Sequence, residues 1–314
     1  MPTKPKIVCI GGGSGLSTLL SGLKQYPVHL TAVVAMSDNG HSSGRVRKVF
    51  DTLPPGDIRK CLLALSPEEE LLGQLFKYRF QTGRGLSGHS LGNLLLVALE
   101  NISGGFGLAV QGAGRILAIS GRIVPVTLEK THLGGVLASG QRVVGEVELS
   151  RAGHRSPIER IFLEPEAEAN PAALEAIKEA DILIIGPGSL FSSILANFLI
   201  KGIKEAVAAS KARKVYICNV STERGETERY TVANHVAELI RYGGGRVCDE
   251  VVVNKRVLKA NGEEGKLGHI RNITTAEKLI SGKPVRLADV VDDTQPLYHH
   301  KTKLAAYLMK LLKI

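Results

Sequence analysis

The sequence predicts an α/β protein: a doubly wound, mainly parallel sheet with a small antiparallel β insertion at about residues 121–165. Three observations point there. Short β-branched runs alternate with helix-period stretches along most of the chain, as in parallel strands joined by crossover helices. Several of those runs end in glycine-rich turns that open a helix. Between residues 121 and 165 the texture changes to short alternating stretches broken by glycine, the pattern of antiparallel strands.

The elements follow in order. KIVCI (6–10) reads as a buried strand, and 16–24 as a helix with Leu16, Leu19, Leu20 and Leu23 on one face. HLTAVVAM (29–36) completes a strand–helix–strand unit. A loop is expected at 37–45, then helices at 53–65 and 68–80, one beginning near Ser90, and one at 108–119. IVPVTLEK, GGVLASGQRVVGEVELS and ERIFLEP read as a β meander. Residues 171–180 form a helix with Pro171 in its first turn. ADILIIGPGSLFSSIL repeats the opening grammar, KVYICNV and DEVVVNK read as strands, and YTVANHVAELIRYGG as a helix closed by glycine. The stretch at 298–314 ends in an amphipathic helix with Leu304, Leu308, Leu311 and Leu312 on one side, expected to dock on the body. No linker composition divides the 314 residues, so one domain is expected.

Composition excludes several classes. Hydrophobic residues make up 44% and charged residues 22%, which excludes a disordered chain. The net charge of +10 suits anionic partners, yet the bases are scattered and no Trp is present for base stacking, so no nucleic-acid partner is expected. Cys9, Cys61, Cys218 and Cys248 lie far apart without a Cys-x-x-Cys pair, which argues against a zinc or dithiol site. No apolar run reaches the ~18 residues of a membrane span. The opening residues carry no signal-peptide pattern, and the expectation is a reduced, cytoplasmic protein.

The chemistry-bearing residues sit at strand ends. Gly11, Gly12, Gly13, Ser14 and Gly15 offer consecutive backbone N–H groups at a helix N-terminus, where an anion is favoured. The turn is neither a dinucleotide fingerprint, whose third glycine would fall at Leu16, nor a Walker loop, which needs a lysine before Lys24. The second strand ends in SDNGHSSGRVR, where Asp38, Asn39, Ser43 and Arg45 suit a phosphate, a ribose or a hydrated metal. Gly186, Pro187, Gly188 and Ser189 form a third turn, and Asn219 and Thr222 a fourth. Asp57, Arg59, His89 and Asn93 complete the candidates. No Ser-His-Asp order and no Gly-x-Ser-x-Gly elbow is present.

The ordered set IGGGSGLSTLLSGLK, SDNGHSSGRVR, PPGDIRKCLLAL, LFKYRF, LSGHSLGNLLLVAL, ADILIIGPGSLFSSILANFL, VYICNVSTERGETERYTVANH and VVVN resembles the YvcK-like gluconeogenesis factors from about residue 6 to 254. Their wider relatives are CofD-type phospholactate transferases. The resemblance implies a Rossmann-like core and a cytoplasmic bacterial protein needed for cell shape and for growth on gluconeogenic carbon sources. It implies a bound UDP-sugar, notably UDP-N-acetylglucosamine, with no cofactor required; α/β proteins of this kind often pair, so a homodimer is the expectation for assembly. The CofD branch implies the alternative, a Mg²⁺-dependent transfer of a phospholactyl-like group, with Asp38 on the metal and Asp57 as the second acid. The chain departs from the family where two adjacent aspartates are usual, reading Asp38-Asn39-Gly40-His41, and in the tail, reading Tyr298-His299-His300. An amide cannot neutralise a cation as a carboxylate does, so the departure favours binding over metal-dependent transfer.

Overall fold

The structure, a computed structural model, describes residues 4–67, 71–257 and 270–314. Residues 68–70, the start of the helix read at 68–80, lie outside the described residues, as do residues 1–3 of the opening.

Strand β1 (Lys6–Gly11) is buried after its first residue, as a central parallel strand must be when helices cover both faces. Helix α1 (Gly13–Leu23) follows and buries the leucine face read from the sequence. β2 (His29–Val34) pairs parallel with β1, Lys6 against His29 and Gly11 against Val34. Residues 37–45 are not all loop: α2 (His41–Phe50) begins inside them. Its two leading glycines and serines carry the signature of a turn, and the helix forms because Val46 and the side chains around it are buried on tertiary contact. α3 (Gly56–Leu65), α4 (Leu71–Lys77), α5 (Leu91–Ser103, capped at Ser90) and α6 (Phe106–Ile116) complete the first half.

The insertion is smaller than the sequence suggests. β3 (Arg122–Pro125) lies in the main sheet, parallel to β2, with Thr31 against Arg122 and Val34 against Pro125. The helices between β2 and β3 supply the crossover that a parallel pair requires. The antiparallel sheet consists of β4 (His132–Leu137), β5 (Arg142–Val144) and β6 (Ile158–Glu164), in the order β5-β4-β6. EVELS, read as strand, is the start of α7 (Glu146–Gly153), with Glu146 and Glu148 in its first turn and Arg151 in its last, matching the helix dipole.

α8 (Pro171–Glu179) starts at Asn170, whose side chain accepts the N–H of Ala172. β7 (Ile182–Ile185) returns to lie beside β1, and a π-helical stretch (Leu190–Leu195) runs on into the short α9 (Ala196–Phe198). α10 (Ile203–Ala209), β8 (Arg213–Ile217), α11 (Val232–Gly243) and β9 (Glu250–Asn254) carry the sheet outward. The hairpin β10 (Leu279–Ile280) and β11 (Lys283–Ala288) closes that edge, β11 running parallel to β9. Polar KPVRLA, with a proline inside, escaped the sequence reading because a strand next to the sheet margin, covered on its outer side only by the two-residue β10, shows little apolar alternation. The order is β10-β11-β9-β8-β7-β1-β2-β3. Among the described residues no single helix is long and apolar enough to cross a membrane; α5 and α6 pass that test only as a pair bent by 117°.

α12 (Lys301–Leu312) docks on α1 and buries Leu304, Ala305, Leu308 and Met309. Gly22 makes this approach possible: a Cβ there would stand 2.3 Å from the carbonyl oxygen of Lys301. Gly22→Ala is therefore expected to lower the unfolding free energy by about 1–3 kcal/mol through overpacking, read as an earlier urea midpoint with an unchanged slope.

Candidate functional site

The chain runs outward from β1 through β2 to β3, then returns to β7 and runs outward the other way through β8 and β9. The turns after β1 and β7 thus diverge at one place, the switch point where open α/β sheets leave a crevice at their carboxyl edge. A cavity of about 380 Å³ lies there. It is lined by residues from the ends of β1, β2, β7 and β8, from α3 and α7, and from the segment before α12.

The floor is built by close contact of the two glycine turns. A Cβ on Gly15 would lie 2.6 Å from the carbonyl oxygen of Pro187, so no other residue fits without moving a loop. Gly13, at φ +66°, donates its N–H to Asp57 Oδ2 at 2.7 Å. The other oxygen of Asp57 accepts from Lys60 Nζ at 2.9 Å, one turn along α3. Burial works against the Lys60 ammonium, but Asp57 and then Asp38 outweigh it and hold the group charged. One buried carboxylate thus fixes the start of α1 and places a cation in the cavity wall.

The opposite wall is carboxyl-rich. Burial, with Asp38 next in effect, pushes Glu146 up to about 8. Burial and then the neighbouring Glu226 push Glu223 up to about 8, and burial also raises Glu226. Asp38 is raised by burial and by Asp57, while the N–H of Gly40 at 2.9 Å works the other way. Glu226 accepts from the N–H of Phe191 at 3.0 Å and from Ser192 Oγ at 2.8 Å. Glu223 accepts from Ser189 Oγ at 3.2 Å. These two acids hold the π-helical stretch, a geometry that often marks functional sites. Asn219 Oδ1 accepts from the N–H of Gly188 at 3.3 Å, and Thr222 exchanges hydrogen bonds with the backbone of Arg271. His299 is buried, its ring bonded to the backbone of Cys218, and burial pushes it down to about 4, so it is neutral at pH 7. Its Nε2 has no partner among the described residues.

Of the residues expected from sequence, Gly13, Ser14, Gly15, Asp38, Asp57, Pro187, Gly188, Ser189, Asn219 and Thr222 line this cavity. Gly11, Gly12 and Gly186 lie just behind it, Gly11 as the last residue of β1 and Gly12 as the cap of α1. The remaining six are not brought to it. Asn39 bonds Glu148 through its amide nitrogen (2.9 Å) and the N–H of Val147 through its oxygen (2.9 Å), fastening α7 to the end of β2. Ser43 accepts from Gly56 N–H at 3.1 Å. Arg45 donates to the carbonyl of Ser87, and Arg59 to Asn93 Oδ1 at 3.0 Å. His89 lies 3.5 Å from Ser42 Oγ, to which Asn93 also donates at 3.1 Å. Ser42, Arg59, His89 and Asn93 form a polar seam joining α2, α3 and α5.

Thr18, Ser37, Lys60, Glu146, Ser193, Ser221, Glu223, Arg224 and Tyr298 line the cavity without having been among those candidates. Helical spacing could have found Thr18 and Lys60, at i+4 from Ser14 and i+3 from Asp57. Nothing local signals Glu146, which comes from the inserted lobe. Among the described residues no group of three or more His, Cys, Asp or Glu side chains is placed to hold a metal ion. Asn39 is turned to α7 and Asp57 is taken by Gly13 and Lys60, so the second loop brings one carboxylate, Asp38, toward Asp57 and Glu146, and the described residues hold no preformed set of acids for a resident Mg²⁺.

This is a Rossmann-like α/β protein with its cavity at the switch point between two glycine turns. The family described as 2-phospho-L-lactate transferase CofD matches residues 7–279, and the chain belongs to that family. It is 47% identical over 255 residues to the gluconeogenesis factor of Bacillus subtilis, covering 81% of this chain and 80% of that one. It is 46% identical over 253 residues to the gluconeogenesis factor of Halalkalibacterium halodurans, covering 80% and 78%. The crystal structure of a protein from Bacillus halodurans is also similar, with a TM-score of 0.93 and 38% identity over 99% of this chain and 100% of that one.

Two outcomes are expected. Asp57→Ala leaves the Gly13 N–H and Lys60 without their acceptor and should cost about 1–3 kcal/mol of stability in denaturant unfolding. The raised Glu146 holds its proton more tightly in the fold than in the unfolded chain. Its share of stability is full below the ordinary carboxyl value of 4.5 and falls as pH rises to about 8. Glu146→Gln should therefore melt at a higher temperature than the parent protein near pH 9 and at a similar one near pH 5.

Proposed function

We propose that this chain binds a nucleotide sugar of the UDP class, with UDP-N-acetylglucosamine the first to test, and acts as a regulator rather than an enzyme. The observation that carries the reading is the cavity at the switch point, where two glycine turns, the start of α1 and Lys60 meet. Backbone N–H donors and one ammonium suit a diphosphate. Its volume of about 380 Å³ falls in the range of small-molecule sites, roughly 300–1,000 Å³. The raised carboxyls support the reading. At pH 7 Glu146 and Glu223 keep their protons, so they do not repel an anion and can donate a hydrogen bond to it. Asn219 and Thr222, on the β8 loop, are placed for the sugar or base. The relatives are named gluconeogenesis factors; with that name we propose a role of the bound ligand in growth on gluconeogenic carbon sources and in cell shape, in the cytoplasm.

The family's description supports a second reading, transfer of a phospholactyl-like group from a nucleotide donor. The lack of a preformed group of metal-holding acids among the described residues counts against its metal-dependent form.

Calorimetric titration with UDP-N-acetylglucosamine, with and without Mg²⁺, tests the first reading. Metal-independent binding is expected, weakened ~10-fold by Lys60→Ala through loss of a charge-assisted contact. Turnover of a nucleotide-activated lactate, or no binding of any UDP-sugar, would overturn it. Affinity should also fall as pH rises from about 6 to 9, because deprotonation of Glu146 and Glu223 near 8 puts negative charge beside the diphosphate.

A further inference from the structure

A second groove, of about 800 Å³, lies on the other side of the loop that joins β2 to α2. Arg45 and Lys48 reach it from α2, Arg79 from the segment after α4, and Arg151 from α7. All four are exposed. Two are fixed by backbone carbonyls. Arg45 Nη1 donates to Ser87 at 3.0 Å and Arg79 Nη1 to Gly88 at 2.6 Å. Gly88 lies under the first guanidinium, since a Cβ there would stand 2.8 Å from Arg45 Nη2.

None of the four has a carboxylate partner among the described residues. The one acid in the lining, Glu148, is engaged by the Asn39 amide. The combined field is felt nearby: His89 is pushed down by burial and then by Arg45 and Arg79. Like charges gathered in one groove repel, and an anion between them removes that repulsion. Guanidinium groups pinned on one side keep further N–H donors for planar, paired contacts with phosphate oxygens. The lining contains no Phe, Tyr or Trp, and the single imidazole of His41 makes no series of rings on which successive nucleic-acid bases could stack.

We infer that this groove is a second anion site, built to take the phosphate groups of a small phosphorylated metabolite. It is separate from the switch-point cavity, and its lining does not require a ligand there. The two share a wall: Asp38 faces the cavity and Gly40 and His41 face the groove, with Asn39 fastening the loop to α7 between them. An anion bound in the groove therefore acts on the same loop that carries Asp38, the arrangement an effector site needs.

Lysine-acylation footprinting of the full chain, read by mass spectrometry at Lys48, tests this with pyrophosphate as the probe. At about four times its Kd, pyrophosphate should slow acylation of Lys48 roughly fivefold relative to sodium chloride of equal ionic strength. Protection should persist in Lys60→Ala, which alters the other cavity. It should vanish in Arg151→Glu and be kept in Arg151→Lys, which separates loss of charge from loss of fold. Equal protection by chloride, or protection lost with Lys60→Ala, overturns the inference. Protection by poly-glutamate but not by pyrophosphate also overturns it, in favour of an acidic protein partner.

Discussion

Gly15 has no room for a side chain, and the carboxyl edge of the sheet depends on that fact. The contact between Gly15 and the carbonyl of Pro187 brings the turn after β1 against the turn after β7. Those turns belong to neighbouring strands whose successors run to opposite edges of the sheet. Where they touch, backbone N–H groups rather than side chains form the surface. Asp57 then fixes the geometry by taking the Gly13 N–H with one oxygen and Lys60 with the other. A buried carboxylate is stable there only because both oxygens are satisfied.

The inserted lobe completes what the core begins. Helix α7 brings Glu146 to the cavity, and Asn39 locks it there through hydrogen bonds to Glu148 and Val147. The amide of Asn39 both donates and accepts here. A carboxylate could accept from Val147 but would repel Glu148. The amide at this position and the placement of α7 therefore belong together. The same amide that withdraws a charge from the cavity attaches the lobe that supplies Glu146.

The parallel core was legible because its physics is local. IVCI, ILII and VVV are β-branched runs buried on both faces, and glycine marks where each strand yields to a turn. The turns that meet at the cavity were legible for the same reason. The errors fell where tertiary contact overrides local preference. IVPV looks the same as an insertion strand or as an edge strand of the main sheet, and only its pairing with β2 decides. EVELS alternates like a strand, yet its acidic start and basic end suit a helix that covers β4. Asn39, Ser43, Arg45, Arg59, His89 and Asn93 are polar residues at strand and helix ends, as binding residues are. In the fold they hold elements together instead. Sequence cannot separate those roles, because both require the same donors and acceptors.

The sheet ends differently at its two margins, and the difference bears on how copies of the chain could meet. At one margin β3 is four residues long and finishes in Pro125, which has no N–H to offer a neighbour. At the other, the two-residue β10 folds back over β11, whose Lys283 donates to the carbonyl of Gly245 and whose Arg286 pairs with Glu250 of β9. Neither margin presents a long, flat row of free backbone groups on which another strand could template. Strand addition is therefore disfavoured at both ends of the eight-stranded sheet.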